Sequence, residues 1–551
     1  MSAAIGYSPP TFAGGIHLDL SKNEGRVPRD ESLLQAIPSI EQLARYPALR
    51  ELQSEMAASY GVPMERVLVT AGGDDALLRL CLLALRRSRQ NPNERQALVA
   101  VPTFEMIPRY VNLAGGELVA VPWPSGAFPT EALLAAAGDA TALVFVVSPN
   151  NPTGAVATPA DLERLASALP DALIVLDAAY AEFADEDLML CALRLENVVI
   201  VRTLSKAWGL AGLRVGCAIA RPELLAQLHA SGNPMPVSVA SAALAVARLR
   251  TGRDDVGDHV ARVREQRVDL IQQLRELGTK PVEPCQGNFV LVHGVDAPWL
   301  TASLAALGIA VRRFPDQPEL ADAVRIGLPA ESHSYNELLA ALATVLSPKA
   351  LIFDMDGVLA DVSMSYRVAI IKTAESYGVA VNEHDITAAK QRGNANDDWQ
   401  LTRSLLLAGG VTRSLSEVTE RFESFYQTLR SSERLLVAAE RLRTWQGRFR
   451  LAVVTGRPRD QAEFFLAQFA IRDLFDVVVC REDAALKPDP APVRLAMQQL
   501  GVESAWMLGD TVDDLVAARL AGVLPIAVGG EVDATNAACV LASAEDLQEL
   551  L

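Results

Sequence analysis

The chain has 551 residues and a formal charge of −17, with 50% hydrophobic, 21% charged and 5% aromatic residues. That length is too great for one core and predicts two or three domains of ordinary globular composition, and the acidic balance works against nucleic acid or an anionic membrane as partner. No apolar run reaches the roughly 18 residues of a spanning helix, and Met1 to Gly15 lacks the basic start and apolar core of a secretory signal, so a soluble cytoplasmic protein is expected. Cys81, Cys191, Cys217, Cys285, Cys480 and Cys539 are scattered with no CxxC pair, and the His residues are equally dispersed, which predicts buried free thiols and no zinc site.

Between Glu51 and Gln90 the pattern reads helix, turn, helix, the second helix opening at Ala71-Gly-Gly-Asp-Asp. Glycines there let the backbone approach an anion, and the unpaired N–H groups of Gly73 and Asp74 would point at a phosphate; helix capping by Asp74 is the plainer alternative. Three apolar runs follow, ALVFVVSPNNPTG (142–154), ALIVLDAAY (172–180) and VVIVRTLSK (198–206), each a strand that ends in polar residues. Alternating with helical stretches such as Pro159 to Leu169, they predict a parallel sheet covered on both faces, with the ligand site off the carboxyl strand ends. Asn151, Asp177, Tyr180 and Lys206 would meet there. A lysine amine can hold an aldehyde cofactor as a Schiff base while an aspartate keeps a pyridine nitrogen protonated, so the set points to pyridoxal phosphate.

SPNNPTG, LDAAY and TLSKAWGLAGLRVG together resemble fold-type I aminotransferases, most closely the histidinol-phosphate aminotransferase group, over about Leu18 to Leu346. The resemblance implies that Lys206 is the Schiff-base lysine and proton carrier, that Asp177 pairs with the pyridinium nitrogen, and that Asn151 and Tyr180 hydrogen-bond the phenolic oxygen. It assigns Thr203, Ser205, Arg214 and the backbone of Gly73 and Asp74 to the cofactor phosphate and Phe104 to the ring face. Tyr46 matches a tyrosine that reaches the neighbouring subunit's cofactor, which implies a homodimer. Arg325 in AVRIGLP would bind the substrate's anionic group, next to the strand carrying Asn288 and Phe289, with Arg312 or Arg313 assisting. Asn23 is carried over as a substrate-pocket residue. Here the chain departs from the group: where members read Asn-Glu-Asn-Pro and an aromatic residue, it has Asn23-Glu24-Gly25-Arg26. An aromatic wall is therefore missing or replaced, and Arg26 could instead add a positive charge for a phosphate or carboxylate.

Ser347 to Leu359 reads SPKALIFDMDGVL and joins this pattern to a second one. Ala350-Leu-Ile-Phe is a buried strand that delivers Asp354 and Asp356 at its carboxyl end. About eighty largely helical residues follow, then RLAVVTGRP (450–458), DVVVC (476–480), LKPDP (486–490) and AWMLGDTVDD (505–514), so a parallel sheet would gather Asp354, Thr455, Lys487 and Asp510.

This ordered set resembles the haloacid dehalogenase-like phosphatases, and the insertion at about 361–435 resembles the helical cap of the phosphoglycolate phosphatase-like branch. By that resemblance Asp354 attacks phosphorus, and Asp356 protonates the leaving alcohol and then activates water. Magnesium would be held by Asp354, Asp510 and the carbonyl of Asp356, with Asp514 acting on the metal or its waters. Thr455 and Lys487 would bind the phosphoryl oxygens. Asp513 reads as surface charge, Arg457 as facing substrate or solvent, and Arg392, Asn394 and Trp399 as candidates for substrate choice.

The whole is expected to be an α/β two-enzyme fusion: residues 1–346 a pyridoxal-phosphate-dependent aminotransferase, and 349–551 a Rossmann-like phosphatase with a helical cap. Consecutive reactions would turn imidazole-acetol phosphate and glutamate into histidinol phosphate and then histidinol. The alternatives are another phosphorylated amino compound, with decarboxylation in place of transamination, or a sensor with one inactive domain.

Overall fold

The computed structural model describes residues 15–29, 31–86, 95–391, 397–529 and 534–551. The N-terminal stretch up to 14, Gln90 at the end of an expected helix, and Arg392 and Asn394 lie outside the described residues. Two compact units are present, one of Leu20–Ala297 with Val311–Tyr335, the other of Met1–Asp19, Pro298–Ala310 and Asn336–Leu551.

In the first unit a seven-stranded sheet is built from Val67–Thr70 (β1), Gln96–Val101 (β2), Glu117–Pro122 (β3), Thr141–Val147 (β4), Leu173–Asp177 (β5), Val198–Thr203 (β6) and Gly216–Ile219 (β7), in the order β1-β7-β6-β5-β4-β2-β3. The three expected strands β4, β5 and β6 are its centre. Their β-branched, nearly unbroken apolar sequences suit a sheet covered on both faces, and almost every residue in them is buried. The parallel expectation holds for β2 to β6 but not at the other edge, where β7 runs antiparallel to both β6 and β1. The cause is the segment after β6. It carries Lys206, contains no α-helix to cross the sheet, and returns the chain alongside the strand it left, with the Leu204 amide donating to Val215 at 3.0 Å. The stretch read as a turn before Ala71 also contains β1, a strand of four residues that pairs with β7 alone.

Helix α1 (Gly72–Leu85) covers this sheet, burying Ala76, Leu77, Leu80, Cys81 and Leu85 against strand residues such as Phe145, Val175 and Val201. A smaller antiparallel sheet is formed by Lys280–Pro281 (β8), Phe289–His293 (β9), Arg312–Arg313 (β10) and Val324–Gly327 (β11), in the order β10-β11-β9-β8. It sets Phe289 and Arg325 on neighbouring strands.

The second unit has a six-stranded sheet of Ala350–Phe353 (β12), Arg450–Val454 (β13), Val477–Val479 (β14), Ala505–Gly509 (β15), Leu524–Val528 (β16) and Val540–Leu541 (β17), in the order β14-β13-β12-β15-β16-β17. All its pairs are parallel. Strand order reverses around β12, so the carboxyl ends of β12, β13 and β15 open on one crevice. Between Ala360–Asp361 and Arg434–Leu435, which pair antiparallel, lie helices α2 (Tyr366–Ser376), α3 (Glu383–Gln391), α4 (Asp398–Ala408) and α5 (Leu415–Leu429). Tyr366, Phe422 and Tyr426 stack where α2 meets α5. In the same unit the Trp506 indole donates to the Thr344 carbonyl at 2.7 Å and meets the Trp299 ring edge-on at 5.4 Å. All six cysteines are free, and only Cys539 is not buried. Among the described residues no helix is long and apolar enough to cross a membrane.

One buried group in the first unit titrates against folding. His259 is 2% exposed, lies edge-on to Phe183, and is held down to about 4 by burial and then by the nearby Arg26 charge. Since the unfolded imidazole takes its proton near 6.5, the unfolded state binds more protons between about 4 and 6.5. Stability from this group is therefore complete above that window and lost as pH falls through it. His259→Leu should narrow the acid loss of stability by up to about 3 kcal/mol, read as a smaller drop in the unit's thermal midpoint between pH 7 and pH 5 than in the parent.

Candidate active sites

In the first unit the carboxyl ends of β4, β5 and β6 bring their polar residues together. Asp177 ends β5 and is buried, and its Oδ1 accepts from the Ala179 amide at 3.1 Å. Burial pushes its carboxyl up to about 6, opposed by that amide. The Lys206 ammonium reaches the Lys22 carbonyl at 3.0 Å and sits 5.6 Å from the centre of the Tyr180 ring. Tyr180 accepts from Asn23 Nδ2 at 3.2 Å, while Asn23 Oδ1 is buried with no hydrogen-bond partner. Arg325 spans the gap to the smaller sheet, donating to Asn151 Oδ1 and to the Ser21 carbonyl, each at 2.6 Å, with its guanidinium over Phe289 and Phe314. Asn288 donates to the Asn23 carbonyl at 3.3 Å.

A second polar group lies at the start of α1. Thr203 donates to Ser205 Oγ at 2.9 Å, and Arg214 lies 3.5 Å from the same oxygen and 2.8 Å from Asp74. Asp74 does not cap the helix, which has Ala71 at its N-cap and no side-chain cap; Asp75 reaches back to accept from the Ala71 amide at 2.9 Å, and Asp74 faces Arg214 and Tyr110. The Gly73 and Asp74 amides are left in the first turn. Phe104 packs at the edge of the adjoining core. Tyr46 is 86% exposed and joins none of these contacts. Of the two adjacent arginines, Arg312 is bound to Glu105 at 2.8 Å.

Arg26 is not a substrate cation. Its side chain is buried and paired with Asp255, which also binds Arg248 at 2.7 Å; Arg248 in turn donates to the Trp208 carbonyl at 3.2 Å. With α-helical Asp255 and Arg248 in place, the loop at Gly25 is pressed onto the segment that carries Lys206. A Cβ on Gly25 would stand 1.8 Å from the Lys206 carbonyl oxygen and 2.9 Å from Gly209.

In the second unit the crevice holds a dense charge cluster. Asp354 is buried at the end of β12, and Lys487 Nζ lies 2.5 Å from both Asp354 and Asp514 and 3.1 Å from the Val454 carbonyl. Burial pushes the Asp354 carboxyl up to about 7, with Lys487 pulling the other way. Asp354, Asp510 and Asp514 each offer an oxygen within 4.8 Å of the others. Asp514 also closes a capping box with Thr511, its second oxygen accepting from the Thr511 amide at 3.0 Å. Gly357 has φ +76, and a Cβ there would stand 2.0 Å from Asp510 Oδ2, so the turn after Asp356 requires glycine. Thr455, buried after β13, accepts from the Arg457 amide at 3.1 Å.

Two expectations change here. Asp513 is buried, not on the surface, because it lies on the inner side of the first turn after β15. Arg457, read as facing substrate or solvent, is not a solvent-facing group: it is buried at the cavity wall, holds Asp356 at 2.6 Å and Glu433 at 3.0 Å, and packs across Tyr366 and Phe465. Its neighbours Glu433, Tyr366 and Gln461 were not marked by sequence, since each comes from a different element. Trp399 lies at the cavity wall with Arg481 4.0 Å over its ring and its indole N–H on Glu423 at 3.1 Å.

Comparison with known proteins defines the class. The family model for aminotransferase class I and II matches residues 16–342, and the chain belongs to that family; the model for haloacid dehalogenase-like hydrolase matches 348–522, so the chain is a fusion of the two. Over 195 residues, a third of this chain (33%), it is 45% identical to an imidazoleglycerol-phosphate dehydratase from Phytophthora nicotianae, of whose length the match spans only 43%. It is 35% identical to an aromatic amino acid aminotransferase from Streptomyces avermitilis over 56% of this chain and 86% of that one, and 35% identical to a histidinol-phosphate aminotransferase from Xanthomonas axonopodis pv. citri over 54% and 83%. The crystal structure of histidinol-phosphate aminotransferase from Sinorhizobium meliloti with pyridoxal-5'-phosphate superposes with a TM-score of 0.53 at 27% identity, covering 60% of this chain and 91% of that one.

Gly25→Ala should force the Lys206 segment to move and lower amino transfer about 100-fold, while phosphate-ester hydrolysis by the same preparation stays within about twofold of the parent. Parallel assays of the two reactions on one sample check this.

Proposed function

We propose that residues 1–346 catalyse pyridoxal-phosphate-dependent transamination and residues 349–551 hydrolyse the phosphate ester that results. The best-supported pair is imidazole-acetol phosphate with glutamate giving histidinol phosphate, then histidinol. The observation that carries it is the fusion itself: a site resembling those of histidinol-phosphate aminotransferases is joined in one chain to a complete phosphoester-cleaving set.

The first site fits the cofactor by its unsatisfied chemistry. A buried carboxylate at Asp177, a buried Asn23 oxygen without a partner among the described residues and a lysine amine resting on a backbone carbonyl and the Tyr180 ring are what a charged aromatic ligand would complete. Pyridoxal phosphate, when bound, supplies the aldehyde and the electron sink. Asp177 would hold a proton on the ring nitrogen, Asn151 and Tyr180 would hydrogen-bond the phenolic oxygen, and Phe104 would cover the ring face. Thr203, Ser205, Arg214 and the Gly73 and Asp74 amides would bind its phosphate. Lys206 Nζ would move the proton between the two substrate carbons, and Arg325 would bind the substrate anion in a planar fork that suits carboxylate or phosphate. Tyr46, exposed in one chain, would serve the site of a second copy in a homodimer.

The oxygens of Asp354, Asp510 and Asp514 lie close enough for one hard cation, and magnesium there would neutralise charge between nucleophile and phosphate. Asp354 would attack phosphorus and Asp356, oriented by Arg457, would give its proton to the leaving oxygen and then take one from water. Thr455 and Lys487 would hold the phosphoryl oxygens. A cytoplasmic setting fits the free thiols.

The test incubates the full chain and magnesium with histidinol phosphate, following the cofactor spectrum, phosphate release and 2-oxoglutarate-dependent glutamate formation. Lys206→Ala should abolish glutamate formation alone, and Asp354→Asn phosphate release alone. Cofactor binding with neither product would rule out this substrate and turn the search to other amino-alkyl phosphates.

A further inference from the structure

We propose that Glu433, a buried acid where the chain returns from the helical insertion, is a positioning residue for Asp356, acting through Arg457 to keep one Asp356 oxygen for the leaving group. The inference rests on the phosphatase reading above and assigns a residue that lies outside the metal cluster and the strand-end motifs.

Arg457 stands three residues beyond β13 and is enclosed on its edges by acids and on its faces by rings. Its Nε donates to Asp356 Oδ1 at 2.6 Å and its Nη1 to Glu433 Oε2 at 3.0 Å, while the Tyr366 and Phe465 rings lie 4.8 and 5.4 Å from its central carbon. Glu433 is held in turn by its other oxygen: Oε1 accepts from Ser365 Oγ at 2.8 Å and from the Tyr426 hydroxyl at 3.3 Å. Both donors belong to the insertion, Ser365 just before α2 and Tyr426 within α5. Arg457, Glu433, Ser365 and Tyr426 are all buried, and Asp356 lines the cavity beside Asp354.

A buried ion pair is weak evidence for stability, because lost hydration offsets the attraction. Burial pushes the Glu433 carboxyl up against the pull of Arg457, and an apolar side chain would fill the same space without that cost. What an apolar side chain would not do is occupy Nη1. An arginine fork readily engages both oxygens of one carboxylate, but here Nη2 lies 2.6 Å from the same Oδ1 that Nε holds. With Nη1 on Glu433 and both faces against rings, the guanidinium is kept from turning onto the second oxygen. That oxygen is then the one to meet the ester. When the Asp354 oxygen bonds to phosphorus and the ester P–O bond breaks, the electron pair leaves on the ester oxygen and the Asp356 proton goes there.

The test measures kcat/KM, which reports the steps through phosphoryl transfer to Asp354, for p-nitrophenyl phosphate and phenyl phosphate with the full chain and magnesium. The esters are similar in shape, but the phenyl ester depends far more on a proton for its departing oxygen. Asp356→Asn should lower phenyl phosphate far more than p-nitrophenyl phosphate. Glu433→Gln keeps the shape and removes the charge; it should lower phenyl phosphate about tenfold and p-nitrophenyl phosphate by less than about twofold. Combined with Asp356→Asn, it should cause no further loss on phenyl phosphate. Ser365→Ala, which removes one donor from Glu433 and no charge, should move the ester ratio in the same sense by about threefold, and it decides the matter if Glu433→Gln does not fold. Equal losses on both esters in Glu433→Gln, additive losses in the double variant, or an unchanged ratio in Ser365→Ala would show a structural role and overturn the proposal while leaving the phosphatase standing. Equal losses on both esters in Asp356→Asn would remove its part as proton donor, and the inference with it. A parent that cleaves neither ester removes the phosphatase reading itself.

Discussion

Lys487 is the cation on which the second unit's site depends. Its ammonium lies 2.5 Å from two buried carboxylates, Asp354 and Asp514, at the point where three parallel strands end. Without a cation, two carboxylates at that depth repel each other and each suffers the loss of water. With it, the acids can be held close to one another. Burial still raises Asp354 despite Lys487, and the oxygens of Asp354, Asp510 and Asp514 remain within 4.8 Å of one another.

The first unit answers a similar problem differently. Among the described residues its buried Asp177 has no ion pair, and its Oδ1 accepts from the Ala179 amide. The charge of Lys206 acts on it from a distance. In one unit the cation lies against the acid; in the other it lies at a distance. Both arrangements use the same backbone device, a buried strand with an acid at its last position (Asp177) or just beyond it (Asp354), where the crevice opens.

What could be read from the sequence was what is local and ordered. The runs ending at Val147, Asp177 and Thr203, and those ending at Phe353, Val454 and Gly509, announce strands through β-branched, apolar composition, and the residues that follow them carry the chemistry. The antiparallel β7 could not be read, because direction depends on how the Lys206 segment folds back and not on the composition of Gly216–Ile219. Arg26 looked like a substrate cation until its partner Asp255, more than two hundred residues away, was in place. Arg457 is a similar case: its partner Glu433 precedes it by 24 positions and is separated from it by a helix and two strands. A charge in a sequence shows what it can bind but not which distant partner has already bound it.

The indole of Trp506 ties the residues on the two sides of the join together. It lies on β15, the strand that bears Asp510 just beyond its end, yet its N–H is satisfied by the carbonyl of Thr344 and its ring edge by Trp299, both of which precede the join at Ser347. A cut at the join would give one half a bare tryptophan face and the other an unfilled helix end. Separating the halves would solvate that face on both products, so the join is held by packing as well as by the peptide chain.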